Sequence, residues 1–147
     1  MSKVFKICIT SKSGQDMNEV NSIEVIANQG IVNDRYFKEY NEKDLQITII
    51  ERENIDYVNE ISSSHIPYID FRRNIITQGI KLNELVNKEF IIGEVKIKGH
   101  RLCDPCKYLQ DKLKHANLVK NLVNKGGLRC EILSDGLISI KDQIVVL

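Results

Sequence analysis

The chain has 147 residues, 28% of them charged, with 21 basic against 20 acidic side chains and a formal net charge of +1. That length fits one domain of ordinary size, which needs neither disulfide nor metal to fold. The balanced charge supplies no whole-molecule field for nucleic acid or an anionic membrane, so any anion site must be a local cluster of arginines. No apolar run approaches the roughly 20 residues needed to span a bilayer. The N-terminus opens on an alternating pattern rather than an uninterrupted signal core, so a cytoplasmic protein is expected.

Alternation from Lys3 to Ser11 predicts a first strand, with Phe5, Ile7 and Ile9 on one face and Lys6, Cys8 and Thr10 on the other. Ser11 to Gln15 is a polar turn, and Asp16 to Asn21 is expected to form one turn of helix. Strands follow at Ser22 to Asn28 and Leu45 to Ile50. Glu51 to Ile61 then reads as a helix, with Ile55, Val58 and Ile61 spaced by three. Asn74 to Thr77 is a strand and Lys81 to Asn87 a second single helical turn. Glu89 to Ile92 and Val95 to His100 are strands. Helices are expected from Pro105 to about Leu113 and from Ala116 to Lys125, the latter stopped by Gly126-Gly127. The chain closes with strands at Leu128 to Leu133, Leu137 to Ile140 and Gln143 to Leu147. Asp135-Gly136 is a hairpin signal between the first two. Many short strands decorated by helices predict a mainly β, α+β domain over residues 1–147, a barrel or sandwich rather than a doubly wound sheet.

Three segments carry chemistry. Asp104 suits a helix N-cap and Pro105 the first helical position. Cys106 then falls in the first turn, where free N–H groups and the helix dipole favour a thiolate. Arg101 and Lys107 push the same way, and Asp104 opposes them. Cys8 and Cys130 lie in apolar strands and read as buried structural thiols. Cys103 and Cys106 form a single C-x-x-C with three readings: half of a zinc knuckle, a redox dithiol, or Cys106 alone as the functional thiolate. His65, His100 and His115 make no recognisable second pair for zinc, and a dithiol expects a strand–helix α/β setting. In the second segment, Gly30 to Phe37, Asp34 is placed to orient Arg35 toward an anion. The third is Phe71-Arg72-Arg73-Asn74, with Thr77 and Gly79 beyond it. Together they offer a thiolate, several guanidiniums and an amide, a set suited to a metal-bearing anionic cofactor.

The order and spacing of these segments resemble the MOSC family, the domain named for the C-terminal part of molybdenum cofactor sulfurases. The matching pieces are Gly30…Asp34-Arg35, Leu45 to Glu51, Phe71 to Ile75 with Thr77 and Gly79, Phe90 to Gly93, Pro105-Cys106, Gly127-Leu128-Arg129, and Asp135-Gly136…Ile140…Asp142…Ile144. The resemblance implies a closed or partly closed β-barrel. It makes Cys106 a persulfide carrier or a thiolate ligand to molybdenum, and places Arg72, Asn74 and Asp34 near the cofactor, with Arg35 and Thr77 as further contacts. The implied cofactor is the molybdenum cofactor (molybdopterin), held transiently, with no pyridoxal phosphate expected in these residues. Implied partners are a cysteine desulfurase or proteins of molybdenum cofactor synthesis. The alternative activity is molybdenum-dependent reduction of N-hydroxylated small molecules, fed by an external reductase. The chain departs from the family pattern at Asn33, Cys130 and Lys141, where glycines are usual.

Overall fold

The computed structural model describes residues 1–104, 111 and 118–147. The helix expected from Pro105, and with it Cys106, lies outside the described residues. Among the described residues there are eleven strands: β1 (Lys3–Ile9), β2 (Asn18–Val20), β3 (Ser22–Ile26), β4 (Gly30–Ile31), β5 (Ile47–Glu51), β6 (Ile75–Gln78), β7 (Glu89–Ile92), β8 (Val95–Leu102), β9 (Leu128–Ile132), β10 (Gly136–Ser139) and β11 (Ile144–Val146). They are joined by helix α1 (Arg52–Ile61), the short helix α2 (Leu118–Asn121), and 3-10 turns at Tyr68–Phe71 and Leu82–Leu85. No helix among the described residues is long and apolar enough to cross a membrane.

The main sheet runs β11-β7-β8-β9-β5-β6-β1-β2, and a small sheet runs β10-β3-β4. These eleven strands pair antiparallel except β5 with β6. That parallel pair needs a crossover, which α1 supplies. The main sheet curls strongly: the Val4 N–H donates to the Asp142 carbonyl at 2.9 Å, Lys141 N–H to Val4 at 2.9 Å and Ile144 N–H to Ser2 at 3.0 Å. These bonds bring the start of β1 beside β11 and make the sheet barrel-like.

Alternation along the strands fills the interior. Ile47 and Ile49 of β5, Val95 and Ile97 of β8, and Leu128, Cys130 and Ile132 of β9 share one buried cluster with Ile23, Val25, Ile31 and Ile138 of the small sheet. The two sheets therefore enclose a single core. The opposite face of β5 and β6 presents Ile50 and Ile76 to Ile55 and Val58 of α1, with Phe71 and Leu122. Burying each such side chain contributes about 1.5–3 kcal/mol.

Three expectations change. In β1 a bulge between Val4 and Lys6 breaks the alternation. Val4 and Ile7 point into the barrel, while Phe5 packs outside, edge-on to Tyr68 at 5.2 Å and beneath the Arg52 guanidinium. Residues 18–20, expected as helix, pair with β1 instead, because Val20 continues the ladder opposite Ile7. Asp135-Gly136 does not close a hairpin: β10 pairs with β3 in the small sheet, and Asp135 Oδ1 accepts the Ala27 N–H at 2.7 Å.

Candidate anion and cofactor site

One polar row crosses the outer face of the main sheet. Arg101 of β8 stands opposite Arg129 of β9, and Arg129 opposite Thr48 of β5. Thr48 bonds to Asn74, just before β6, Asn74 to Cys8 of β1, and Cys8 stands opposite Glu19 of β2. The inward neighbours of these residues are apolar core side chains, so alternation forces the row outward. Along this rim of the sheet stand Arg101 and Arg129 at one end, Arg73 beside Asn74, and Arg72 and Arg35 near Cys8, five of the six arginines in the chain. The sixth, Arg52, lies off this rim, donating to Gln78 Oε1 at 3.3 Å.

Asn74 is fully buried, and its amide is spent on backbone and hydroxyl groups. Its Oδ1 accepts from the Thr48 N–H and Oγ1, each at 3.2 Å, and its Nδ2 donates to the Cys8 carbonyl at 3.3 Å. The structure thus places it as the tie between β5 and β1.

Arg72 sits in the left-handed region, φ 63°, at the end of the Tyr68–Phe71 turn. A non-glycine residue adopts that conformation when its surroundings hold it there. Its N–H donates to Ile69 at 3.1 Å, and its carbonyl accepts from Arg35 Nη2 at 3.0 Å. The Arg72 guanidinium donates through Nη1 to the Gln15 carbonyl at 2.6 Å, under the exposed Ser11–Asp16 loop.

Asp34 and Arg35 form a buried ion pair at 3.2 Å, with side chains 1% and 4% exposed. Asp34 also accepts from the Thr10 and Tyr36 N–H groups. Asn33 before it has φ 72°, and Lys141 has φ 74°. Both positions are left-handed, which is why glycine is usual there, and asparagine tolerates the conformation better than lysine.

Thr77 is not brought to this rim. It lies three residues along the strand from Asn74, about 10 Å away, with its hydroxyl on the Ile50 carbonyl at 3.4 Å. The Arg101 guanidinium, expected to favour the Cys106 thiolate, is held by Asp44 at 2.7 Å, with Asp104 at 3.7 Å. That hydrogen bond lowers the Asp44 pKa and raises that of Arg101.

Cys8, Cys103 and Cys130 are free and buried. Burial pushes the Cys8 thiol up to about 12 against the opposing pull of Arg35, and its Sγ donates to the Arg73 carbonyl at 2.9 Å. Burial also raises Cys130 well above the usual thiol value. These two thiols are inert in the native state. Above pH about 9 the unfolded chain loses their protons while the folded chain keeps them, so stability falls as pH rises. Each contributes a loss of about 1.4 kcal/mol per pH unit, for Cys8 continuing to about pH 12. Urea melts at pH 8, 9 and 10 check this, with Cys8→Ala expected to flatten the slope.

Cys103 follows β8, and its N–H donates to the Gly127 carbonyl at 2.8 Å. Arg73 Nε donates to the neighbouring Gly126 carbonyl at 2.8 Å. Gly127 has φ +105°, and a methyl there would overlap the Ile49 carbonyl oxygen. The Gly127-Leu128-Arg129 motif therefore lets the chain pass close over β5 and puts Arg129 on the row. Two features of the site escaped sequence reasoning: the tie made by the Asn74 amide, and Arg129, whose only signal was that motif.

The MOSC domain model matches residues 35–145. The chain belongs to the MOSC domain family. None of the curated proteins compared with the chain matches it. Among solved structures, the YuaD protein from Bacillus subtilis superposes with a TM-score of 0.82 at 16% identity, covering 99% of this chain and 96% of that one. YiiM from Geobacillus stearothermophilus gives 0.81 at 17% identity, over 100% and 75% of the two chains. YiiM from Escherichia coli gives 0.71 at 16% identity, over 99% and 69%. At these identities the likeness establishes the MOSC fold. Family membership associates the chain with molybdenum cofactor chemistry.

Proposed function

We propose that this MOSC protein binds the molybdenum cofactor, or carries sulfur as a persulfide, through Cys106. The supporting observation is that five of the six arginines line this row, Arg101 and Arg129 at the end where β8 leads through Cys103 toward Cys106, and Arg35 and Arg72 at the other, near Cys8. Cys106 is three residues beyond Cys103, a reach of about 11 Å at most.

The donor set suits the cofactor. Guanidiniums hold oxyanions by paired N–H donors, and a thiolate is a soft ligand for molybdenum or sulfane sulfur. Arg129 Nε is buried and has no acceptor among the described residues, so the rim holds an unused donor for an anion. In this reading Arg72 holds the anionic part, and Arg35, buried against Asp34 and bonded to the Arg72 carbonyl, positions it. Asn74 and Thr77 keep β6 and its neighbours in register beneath them. When bound, the molybdenum centre supplies two-electron oxygen-atom or sulfur chemistry. As a carrier, the Cys106 thiolate attacks the outer sulfur of a persulfide on a cysteine desulfurase. The donor's S–S bond breaks, its cysteine leaves as thiolate, and Cys106 retains the transferred sulfur.

Peptide mass spectrometry after incubation with a cysteine desulfurase and cysteine tests the carrier form. The Cys106 peptide should gain the mass of one sulfur, Cys106→Ser should gain none, and Cys103→Ser should behave as wild type. Equal loss in both variants would instead favour a dithiol or zinc half-site.

A further inference from the structure

Arg129 is a half-buried residue of β9 whose Nε is itself buried and has no acceptor among the described residues. A guanidinium does not shed its charge, and a charged donor buried without an acceptor is unfavourable unless something comes to accept from it. The register adds to the imbalance, because Arg129 stands directly opposite Arg101, and like charges facing across a ladder repel. Of the nearby carboxylates, Asp44 feels the charge of Arg129 but gives its hydrogen bond to Arg101, and none among the described residues accepts from the Arg129 Nε. Asp44 takes Arg101 Nε at 2.7 Å, Asp104 lies 3.7 Å from Arg101 Nη1, and Glu131 pairs with His100 Nε2 at 2.8 Å. On the other side, the Thr48 N–H and hydroxyl are turned to Asn74.

We propose that Arg129 is a ligand-binding residue of this rim, its Nε–H donating to an oxyanion of the phosphate monoester class with the Arg101 guanidinium as the neighbouring cation. This deepens the reading above and rests on it for the ligand's identity. A dianion between the two guanidiniums turns their repulsion into shared attraction. Residues opposite one another in a ladder are about 5 Å apart, so both side chains reach one tetrahedral group. The polar row is then cationic at both ends: Arg101 and Arg129 at one, Arg35 and Arg72 beyond Cys8 at the other. A ligand lying along it meets a guanidinium at each end. Arg73 differs, since its Nε is spent on the Gly126 carbonyl.

The test titrates the whole chain with inorganic phosphate while following arginine Nε–H resonances by nuclear magnetic resonance. The Arg129 resonance, identified by its disappearance in Arg129→Lys, should shift saturably. Arg129→Met should weaken phosphate binding about tenfold or more and raise the melting temperature of the ligand-free protein by about 2–4 °C. Arg129→Lys, which keeps the charge but loses the fork, should fall between. A resonance unmoved by phosphate would overturn the proposal. So would an Arg129→Met protein that melts lower and binds phosphate as before, since that describes a structural donor. The Cys106 reading fails separately. Protein lacking both molybdenum and persulfide but showing the phosphate response keeps Arg129 as an anion contact and loses the proposed function. Protein carrying either one while Arg129 stays silent does the reverse.

Discussion

Replacing Asn74 by alanine is expected to destabilise the fold by about 3–5 kcal/mol. The substitution leaves the Thr48 N–H, the Thr48 hydroxyl and the Cys8 carbonyl without the amide that pairs them, all in a fully buried setting. Each such orphan costs about 1–3 kcal/mol. Against a total stability of about 5–15 kcal/mol, the loss is large. Asn74→Asp keeps the acceptor but loses the donor to Cys8 and buries a carboxylate, so it should be nearly as harmful. Urea unfolding with an unchanged m-value measures the effect. A loss under about 1 kcal/mol would mean that the amide is free to face a ligand.

Asp34→Ala is the second large effect, also about 3–5 kcal/mol, because it leaves the Arg35 guanidinium buried without its carboxylate. The Thr10 and Tyr36 N–H groups lose their acceptor as well. The double replacement Asp34→Leu with Arg35→Met removes both charges and should recover a substantial part of the loss. That asymmetry separates a desolvation penalty from a favourable pair energy. Additive losses in the double variant would contradict the assignment.

Much of this architecture was legible in the residues. The three-residue spacing of Ile55, Val58 and Ile61 marked α1, and the β-branched runs marked β5 through β9 within one or two residues. What failed did so for tertiary reasons. No period shows a bulge: alternation puts Phe5 with Ile7, whereas the break between Val4 and Lys6 turns it outward. Asp135-Gly136 carries turn chemistry, but which strand takes up β10 depends on the edge that β3 offers. Asn18 to Val20 is too short for its period to oppose a helical reading, and pairing with β1 decides it.

The site was legible as a set of segments and not as a geometry. Asp34, Arg35 and Arg72 converge through hydrogen bonds that join segments far apart in the chain. Asn74 carries the same residue type whether it faces a ligand or ties two strands, and burial separates the roles. Thr77 shares a segment with Asn74, but the strand rise carries it away from the rim. Arg101 has the charge to favour a thiolate, but Asp44, from a distant loop, takes it. Charge counting alone misses such a partner.

Elemental analysis tests the central claim most directly, on protein purified from cells whose molybdenum cofactor synthesis is intact, alongside Cys106→Ser and Cys103→Ser. The expected result is molybdenum, or in its absence persulfide sulfur, retained by the wild type and by Cys103→Ser and lost from Cys106→Ser. Wild-type protein free of both, or zinc that disappears equally with either cysteine, would contradict the account.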